Sequence, residues 1–564
     1  MAVLFLRLQV IWPIGFHQDN AIAANWLAGA HRDGMTLFSF CHQLSQRVLR
    51  DEGRFIPVTV YLLAPLQIGL GENLTALRCL QAASQLAAFI AFALFVQRLG
   101  RDRWLAGTIV VIFASIYEIR EYPDAATGVG ILLPTLVVFG SLSCFFSLRC
   151  ADDPARTWNR DWWLAVLFSL LNILTWELAL PFCFLACIFL LMGRAARPVR
   201  WLRAAAAGLP PLALTAMSLW LKRKSTYSGA TLGSLKPGIL WSTFSGQAVS
   251  ALPLSYQHFD PQHLFQAGWS AHADYFTAVV IGLLTAVAVG IGLGQGHPKR
   301  LGAVVFCGVV LLVAPPLMIS VSARYQVDTA PGLGYTETCL TYGGVSVLAA
   351  AGLSWLQNAI GARKRAMGFG VALLAAVGFG LIAGQTLVGS AWIADFMNQR
   401  WRNPREMLAV WLHATRIPPG APALVLVEHP ELYRWENSNF WLEHHWAQSE
   451  VVTRGDFDAG GRKVPPGITL VDLRFTPQVQ RSGRFIVIAA TSGGATAHRT
   501  THLSAFVISA DWYSLAGAPF KLEKGNQAWI VPDLISVGYG GYYYRKLEIE
   551  TDSPWVDGCR FVTD

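Results

Sequence analysis

Residues 74–103 read LTALRCLQAASQLAAFIAFALFVQRLGRDR, a long apolar run that ends in a cluster of arginines. An apolar run of about 20 residues with few charges is long enough to cross the hydrocarbon core of a bilayer as a helix. Lys and Arg are enriched at the cytoplasmic ends of such helices. The stretch therefore predicts a membrane-spanning helix over 74–97 whose C-terminal end faces the cytoplasm.

The same pattern recurs along the 564-residue chain, which is 53% hydrophobic and only 14% charged. Such a composition is too apolar for a typical soluble protein. We expect an α-helical polytopic membrane protein with about 11 transmembrane helices within residues 1–390. The predicted spans are about 2–16, 74–97, 104–117, 128–148, 162–175, 178–193, 204–222, 275–295, 302–320, 340–358 and 367–390.

The basic residues of the chain, whose net charge is +9, fall in short clusters between the apolar runs. This distribution follows the positive-inside rule and argues against a nucleic-acid partner. It predicts a bacterial inner-membrane protein with periplasmic loops at 17–57, 118–127, 223–273 and 321–339. The apolar run at 57–70 is then expected to lie along the membrane surface, because one more span would invert every later loop.

Two local features of the spans need a physical reason. Residues 162–193 are predicted as two helices that meet at Trp176–Glu177, because a carboxylate in mid-bilayer is costly and one at a turn near the surface is not. The basic residues at 222–224 fall on the periplasmic side, against the charge rule. A bound anion would explain them, and so would snorkelling at the end of a helix.

The composition changes after Ser390. An amphipathic helix is predicted at 404–416, and strands are predicted at 423–429, 485–490, 506–510 and 542–550. We therefore expect residues 391–564 to form a soluble mixed α/β domain in the periplasm.

Side chains of opposite charge collect in the predicted periplasmic loops. The carboxylates are Asp19, Asp33, Asp51, Glu52, Glu118, Glu121, Asp124 and Glu177, and the basic residues are Arg54, Lys222, Arg223, Lys224 and Arg324. A carboxylate near the membrane surface can act as a general base on an acceptor hydroxyl. Guanidinium and ammonium groups can hold a phosphate through charge-assisted hydrogen bonds. An enzyme that uses a phosphate-linked lipid needs both, and a solvated surface is the plainer interpretation of each residue taken alone.

Four short segments, in this order, carry a resemblance to a known family. They are FHQDN after the first apolar run, EGRFIP before the predicted surface helix, EYPDA in the second acidic loop, and SARY before a late span. In this layout residues 1–390 resemble the GT-C superfamily of integral-membrane glycosyltransferases, whose donors are typically polyprenyl-phosphate-linked sugars. The pair Asp19-Asn20 departs from the two acidic residues usual in the first loop.

The resemblance implies roles for individual residues. Asp19 would be the catalytic base, with Asp124 or Glu121 as its partner from the second loop, whereas Asp33 and Asp51 are expected to be solvated surface residues. The implied substrate-binding residues, which would contact the donor and its phosphate, are Arg54, Glu52, Glu177, Lys222, Lys224, Arg324 and Tyr325. The spacing of the residues predicts no metal ligands, although a divalent cation such as Mg²⁺ or Mn²⁺ could assist the reaction.

We therefore expect inverting transfer of a sugar from a polyprenyl-phosphate donor to a periplasmic glycan, lipid or protein acceptor. A polymerase or ligase of lipid-linked glycans is the nearest alternative. A transporter of lipid-linked saccharides would more naturally show a pseudo-repeat and broken helices. A non-catalytic membrane assembly protein would keep its function without the loop carboxylates.

Overall fold

Helices form nearly all of the described chain up to Met397, and strands follow it. The computed structural model describes residues 2–8, 12, 34–70, 73–118, 130–152, 159–223, 231–259, 274–328, 330–334, 338–361, 364–397, 423–427, 450–461, 469–481, 485–492, 502–509, 520–524, 527–531, 536–539, 542–550 and 560–562. The chain divides into two units, one of residues 1–13, 38–67 and 75–394 and another of residues 14–37, 68–74 and 395–564.

The helices up to Met397 are numbered in chain order. They are α1 (Ala2–Leu8), α2 (Leu37–Glu52), α3 (Ala64–Gly69), α4 (Leu74–Gly100), α5 (Arg103–Ile116), α6 (Leu132–Asp152), α7 (Arg160–Ile173), α8 (Leu180–Leu191), α9 (Arg197–Lys222), α10 (Pro237–Val249), α11 (Ser255–Phe259), α12 (Tyr275–Gln295), α13 (Leu301–Ser320), α14 (Ala323–Asp328), α15 (Thr338–Gly361) and α16 (Arg365–Met397). A π-helical turn at Thr59–Leu63 leads into α3, and a 3₁₀ turn at Glu177–Ala179 leads into α8.

Seven of the described helices are long and apolar enough to cross a membrane, so the chain is a helical polytopic membrane protein. They are α4, α6, α9, α12, α13, α15 and α16. The predicted number of about 11 was higher because three further predicted spans form helices that are too short to cross. These are α5 and α7, with 14 residues each, and α8, with 12. The predicted span at 2–16 is described only over Ala2–Leu8.

Two predictions about the course of the chain are confirmed. Residues 162–193 form two helices, α7 and α8, and Glu177 begins the turn that joins them. The run at 57–70 forms a short helical segment, Thr59–Gly69, rather than a full span. Its position along a membrane surface stays a prediction.

Polar side chains begin several of the helices. Asp102 precedes α5, and its Oδ1 atom accepts hydrogen bonds from the backbone amides of Trp104 (2.7 Å) and Leu105 (3.2 Å). Asn159 and Asp274 cap α7 and α12 in the same way. Each cap satisfies backbone donors that have no partner within the helix. The caps therefore fix where the helices begin after the turns.

Close helix packing depends on small residues, as is usual in membrane bundles. Between α12 and α16 the backbones meet at two glycines, and a Cβ added to Gly282 would lie 2.8 Å from the carbonyl oxygen of Gly380. The core between α4, α5 and α15 is aromatic instead. The rings of Phe92 and Phe113 are 5.6 Å apart, and those of Tyr117 and Tyr342 are also 5.6 Å apart.

Helices α4 to α9 alternate in direction, as do α12, α13, α15 and α16, so their turns collect at two ends of this unit. At one end Lys299 donates its backbone N–H to Gly100 (3.0 Å), and Arg194 donates to Ala151 (2.9 Å). The clustered arginines lie here, and we call it the basic end. We call the other the opposite end; there the backbone N–H of Val58 donates to Leu174 (3.1 Å).

The second unit contains the strands that the structure describes after Met397. They are β1 (Ala423–Val427), β2 (Glu450–Thr453), β3 (Thr469–Arg481), β4 (Phe485–Ser492), β5 (His502–Ser509), β6 (Phe520–Lys524), β7 (Gln527–Val531), β8 (Ser536–Tyr539), β9 (Tyr542–Glu550) and β10 (Arg560–Val562), with a short helix α17 (Arg454–Ala459) after β2. Seven strands pair in the order β2-β1-β3-β4-β5-β9-β8, and β10-β6-β7 form a second sheet.

Strand β1 is parallel to both of its neighbours, with Leu424 opposite Glu450 and Leu470, and the remaining pairs are antiparallel. Strands occur at all four predicted positions, whereas the predicted helix at 404–416 lies outside the described residues. That the region is a soluble periplasmic α/β domain stays a prediction.

Candidate functional site

The structure describes only some of the predicted site residues. The predicted catalytic residues Asp19, Glu121 and Asp124 lie outside the described part of the chain, and so does Lys224. The described ones are Glu52, Arg54, Glu177, Lys222, Arg324 and Tyr325. Four of these six come together at the opposite end of the helical unit.

The meeting point is the turn between α7 and α8. The chain leaves α7 after Ile173, and the carbonyl of Thr175 accepts a hydrogen bond from the hydroxyl of Thr59 at 2.5 Å. Together with the bond from Val58 to Leu174, this contact holds the segment after Arg54 against the turn. Residues from distant parts of the sequence are thereby brought beside Glu177.

Glu177 holds two cations on one carboxylate oxygen. The Nε atom of Arg54 lies 3.2 Å from its Oε1 atom, and the Nζ atom of Lys222 donates to the same oxygen. The Nη1 atom of Arg54 donates to Oε2 of Glu52 at 3.2 Å. The guanidinium also lies over the ring of Trp176, 5.8 Å from its centroid. We call Glu52, Arg54, Glu177 and Lys222 the ion-pair group.

The ion-pair group is largely withdrawn from solvent. The side chains of Arg54 and Lys222 are 15% exposed and that of Glu177 is 18% exposed. Burial of the Glu177 carboxylate by itself raises its pKa, but the charges of Arg54 and Lys222 outweigh that effect, so the pKa lies below its ordinary value. A carboxylate with a lowered pKa is a weak base. Glu177 is therefore suited to hold the two cations and not to transfer protons.

Gly53 allows the two cations to approach each other. It has a φ of +65°, and a Cβ at this position would lie 2.6 Å from the backbone nitrogen of Lys222. No side chain larger than hydrogen fits between this segment and the end of α9. Because Gly53 is glycine, this segment can lie against the end of α9, and Arg54 and Lys222 can both reach Glu177.

A cavity of about 420 Å³ opens beside the ion-pair group. Glu177, Lys222 and Arg223 form its charged part, and most of the remaining wall is apolar. Its other lining residues are Leu180, Thr215, Ser218, Leu219, Thr231, Leu232, Met318, Val321 and Ser322. An apolar space with cations at one end is shaped for an amphiphile with an anionic head.

Two short segments pair across from Glu177 to form one wall of the cavity. Gly233 donates its backbone N–H to Val321 (2.9 Å), and Ala323 donates to Thr231 (3.0 Å). Gln326 fastens the pair: its Oε1 accepts from the amide of Ser234 and its Nε2 donates to the carbonyl of that residue, both at 2.8 Å. We call residues 231–234 with 321–323 the paired strap.

Arg324 and Tyr325 follow the paired strap in α14. Tyr325 is buried, at 5% exposed, and Arg324 is half-buried. Ser322, two residues before Arg324, lines the cavity. The donor-binding roles of Arg324 and Tyr325 stay predictions.

The sequence does not distinguish Glu118 from the other carboxylates of the predicted loop at 118–127. In the structure, however, its side chain is only 3% exposed. Its Oε2 accepts hydrogen bonds from the backbone N–H of Tyr256 (3.2 Å) and the hydroxyl of Tyr342 (3.3 Å). Glu118 thereby ties α11 and α15 to the chain just ahead of the loop that carries Glu121 and Asp124. Its position directly after an apolar run was the one available signal.

Among the described residues, no three His, Cys, Asp or Glu side chains form a group that could hold a metal ion. Asp19, the residue to which a metal role could fall, lies outside that part of the chain. The assisting divalent cation therefore stays a prediction.

The sequence matches no protein-family model, and no curated protein aligns with it significantly.

Proposed function

We propose that this protein is a GT-C-type membrane glycosyltransferase that moves a sugar from a polyprenyl-phosphate donor to an acceptor outside the cytoplasm. The observation that carries the proposal is the ion-pair group beside a mostly apolar cavity. A phosphate-linked lipid has the two chemical properties that such a space accommodates, an anionic head and an apolar chain.

The cations account for recognition of the donor phosphate. Lys222 and Arg223 line the cavity, and Arg54 lies directly behind Glu177. Glu177 keeps Lys222 and Arg54 in place before the donor binds, so that little reorganisation is needed when charge develops on the leaving phosphate. Such preorganised electrostatic stabilisation is usually the largest contribution to enzymatic rate enhancement.

Asp19 would act as the base, assisted by Asp124 or Glu121. The acceptor hydroxyl gives its proton to Asp19, and its oxygen forms a bond to the anomeric carbon as the bond from that carbon to the phosphate oxygen breaks. The configuration at the anomeric carbon is inverted, and polyprenyl phosphate leaves with the electron pair of the broken bond. A bound Mg²⁺ or Mn²⁺ ion would add positive charge at the phosphate.

The proposal places the chain in a bacterial inner membrane, with the opposite end and the strand region in the periplasm. The enrichment of arginines at the basic end supports this orientation through the positive-inside rule. A soluble periplasmic domain formed by the strand region would help to select the glycan, lipid or protein acceptor.

The decisive experiment is sugar transfer by purified protein in liposomes, supplied with a panel of radiolabelled polyprenyl-phosphate sugars and membrane extract. We expect one donor to be consumed, and Asp19→Asn to abolish transfer while donor binding persists. Asp33→Asn, which changes another acidic residue of the same loop, is the matched control and should retain activity.

Two outcomes would contradict the proposal. Near-normal transfer by Asp19→Asn would remove that residue as the base. Movement of a labelled lipid-linked sugar across the liposome membrane without its consumption would identify a transporter instead.

A further inference from the structure

A second cavity lies at the basic end, far along the helices from the ion-pair group. It measures about 960 Å³ and opens between the ends of α4 and α6. Four arginines line it: Arg98, Arg101, Arg103 and Arg149. We call it the arginine cavity, and it is unrelated to the residues used in the proposed transferase reaction.

Among the described residues of this region, arginines outnumber carboxylates. Asp152, 17% exposed, accepts from the Nη2 atoms of Arg98 (2.9 Å), Arg101 (2.9 Å) and Arg300 (3.0 Å). A single carboxylate therefore faces three guanidinium groups and neutralises only one of their charges. Asp102, the other acidic residue of the lining, directs its oxygens to backbone amides of residues 104, 105 and 297. With four arginines and two aspartates, the described lining thus carries a surplus of positive charge even when the charge of Asp102 is counted.

The remaining two arginines are held by aromatic rings at the edge of the cavity. The guanidinium of Arg149 lies 5.9 Å from the ring centroid of Phe145, and its Nε donates to Asp161 at 3.1 Å. The guanidinium of Arg103 lies 5.2 Å from the ring centroid of Trp104, a residue that is 38% exposed. Exposed Trp beside Arg at the end of a membrane helix marks the level of the lipid head groups.

The cavity wall also has an apolar part that continues onto the outer surface of the bundle. Leu94, one helical turn before Arg98 on α4, lines the cavity and is 41% exposed. Ile90, one turn further along the helix, is 44% exposed. A ligand with its head among the arginines would therefore have an apolar track for its chains along α4.

We propose that the arginine cavity binds an anionic phospholipid of the surrounding bilayer through its phosphodiester head group. Basic pockets between helix ends at the head-group level have the charge and position that anionic lipids recognise. Guanidinium groups suit phosphate because they donate paired hydrogen bonds to its oxygens. A bound lipid would add the negative charge that Asp152 alone does not supply.

The test is native mass spectrometry of the purified protein titrated with phosphatidylglycerol or phosphatidylcholine. We expect at least tenfold tighter binding of phosphatidylglycerol. Arg103→Gln/Arg149→Gln should weaken that binding about thirtyfold, because each basic side chain near an anionic head group contributes a factor of about five. Lys364→Gln/Arg365→Gln is the matched control, since it removes two exposed positive charges from the turn between α15 and α16 at the same end.

Several results would overturn the proposal. Equal losses in the two double variants would indicate diffuse attraction to the basic end and no built site. Equal binding of the two lipids would exclude recognition of the anionic head group. Displacement of the lipid by micromolar soluble glycerol phosphate would identify a site for a free phosphate. If the double variant cannot be purified, Arg103→Gln alone changes an exposed side chain and should weaken binding about fivefold.

Discussion

Glu177 is the residue on which the candidate site depends most directly. Both Arg54 and Lys222 contact one of its oxygens, and all three side chains are mostly buried. Buried ion pairs contribute little net stability compared with apolar packing, but removing one partner leaves the other charge buried and alone. The Glu177 carboxylate is therefore required to keep Arg54 and Lys222 in their positions.

Acidification should reveal how much Glu177 contributes to the stability of the protein. The pKa of Glu177 is lower in the folded protein than its unfolded-state value of about 4.5. Its contribution to stability is therefore fully present above that unfolded-state value, and it is lost as the pH falls through the lower folded-state pKa. Glu177→Gln should cost about 3 kcal/mol at pH 7 and remove this pH dependence. Thermal unfolding in detergent between pH 7 and pH 3 measures both effects.

Glu52→Gln is the comparison for that experiment. Within the described part of the chain, the ion-pair partner of Glu52 is Arg54, and the Glu52 side chain is 31% exposed. Glu52→Gln should lower the free energy of unfolding by less than Glu177→Gln does, and it should leave the acid-dependent loss of stability in place. An unchanged acid-dependent loss in Glu177→Gln would show that another carboxylate is responsible.

Sequence reasoning identified the members of the ion-pair group without their pairing. These residues come from three separate parts of the chain, Glu52 with Arg54, Glu177, and Lys222, and the charge of each is visible in the sequence. That Glu177 meets both Arg54 and Lys222 depends on contacts between residues 45 or more positions apart, such as Lys222 with Glu177. Local pattern carries no information about such contacts.

At the scale of elements, the site depends on the packing of the segment after α2 against the end of α9. That packing depends on Gly53, whose backbone touches the backbone of Lys222. It is supported from the other side of the cavity by the paired strap, which Gln326 fastens to the end of α13 through a bond to Ser320 at 2.8 Å. Small shifts in these connections would separate the cations.

Gly53→Ala should therefore displace the end of α9. Its Cβ would lie 2.6 Å from the Lys222 nitrogen in a backbone conformation that disfavours alanine. We expect strain and overpacking together to lower the free energy of unfolding by about 2–4 kcal/mol. We also expect weaker binding of a polyprenyl-phosphate sugar. Thermal unfolding and a lipid-binding titration measure the two effects.

Gly34→Ala separates the two causes. Gly34 has a similar φ of +66°, but no atom of the described residues lies within 4 Å of an added Cβ. This variant should show only the conformational cost of about 1 kcal/mol and bind the donor normally. Equal effects of the two substitutions would mean that the contact with Lys222 has no role.

For the whole molecule, the distribution of charge predicts orientation. Arg98, Arg101, Arg149 and Arg300 gather at the basic end, which the positive-inside rule assigns to the cytoplasm. The orientation in turn decides whether the ion-pair group serves periplasmic or cytoplasmic chemistry.

Cysteine labelling in intact cells tests that orientation. Lys236→Cys at the opposite end should react with a membrane-impermeant maleimide, and Lys364→Cys at the basic end should react only after lysis. Both positions are exposed lysines, which makes the pair matched. The background should carry Cys79→Ser and Cys559→Ser. Labelling of Lys364→Cys alone would invert the assignment.

Hydropathy predicted the helical membrane unit but overestimated its number of spans. In α5, ten of the 14 residues are buried inside the protein. Its apolar side chains pack mostly against neighbouring helices, and a hydropathy window cannot tell such a helix from one that faces lipid. The boundary between α7 and α8 was predictable because the cost of a buried carboxylate is local information. The proposed catalytic residues Asp19, Glu121 and Asp124 lie outside the described chain, so their geometry stays untested.

The shortness of α5 and α7 limits how far the turns after them lie from the basic end. Each has 14 residues, so each is about 21 Å long, whereas the hydrocarbon core of a bilayer is about 30 Å thick. Both begin at the basic end, so about 21 Å of helix separates that end from the turns that carry Glu118 and Glu177. For the proposed lipid-linked donor, this spacing predicts an approach to the ion-pair group from the side of the bundle, at the level of the lipid head groups.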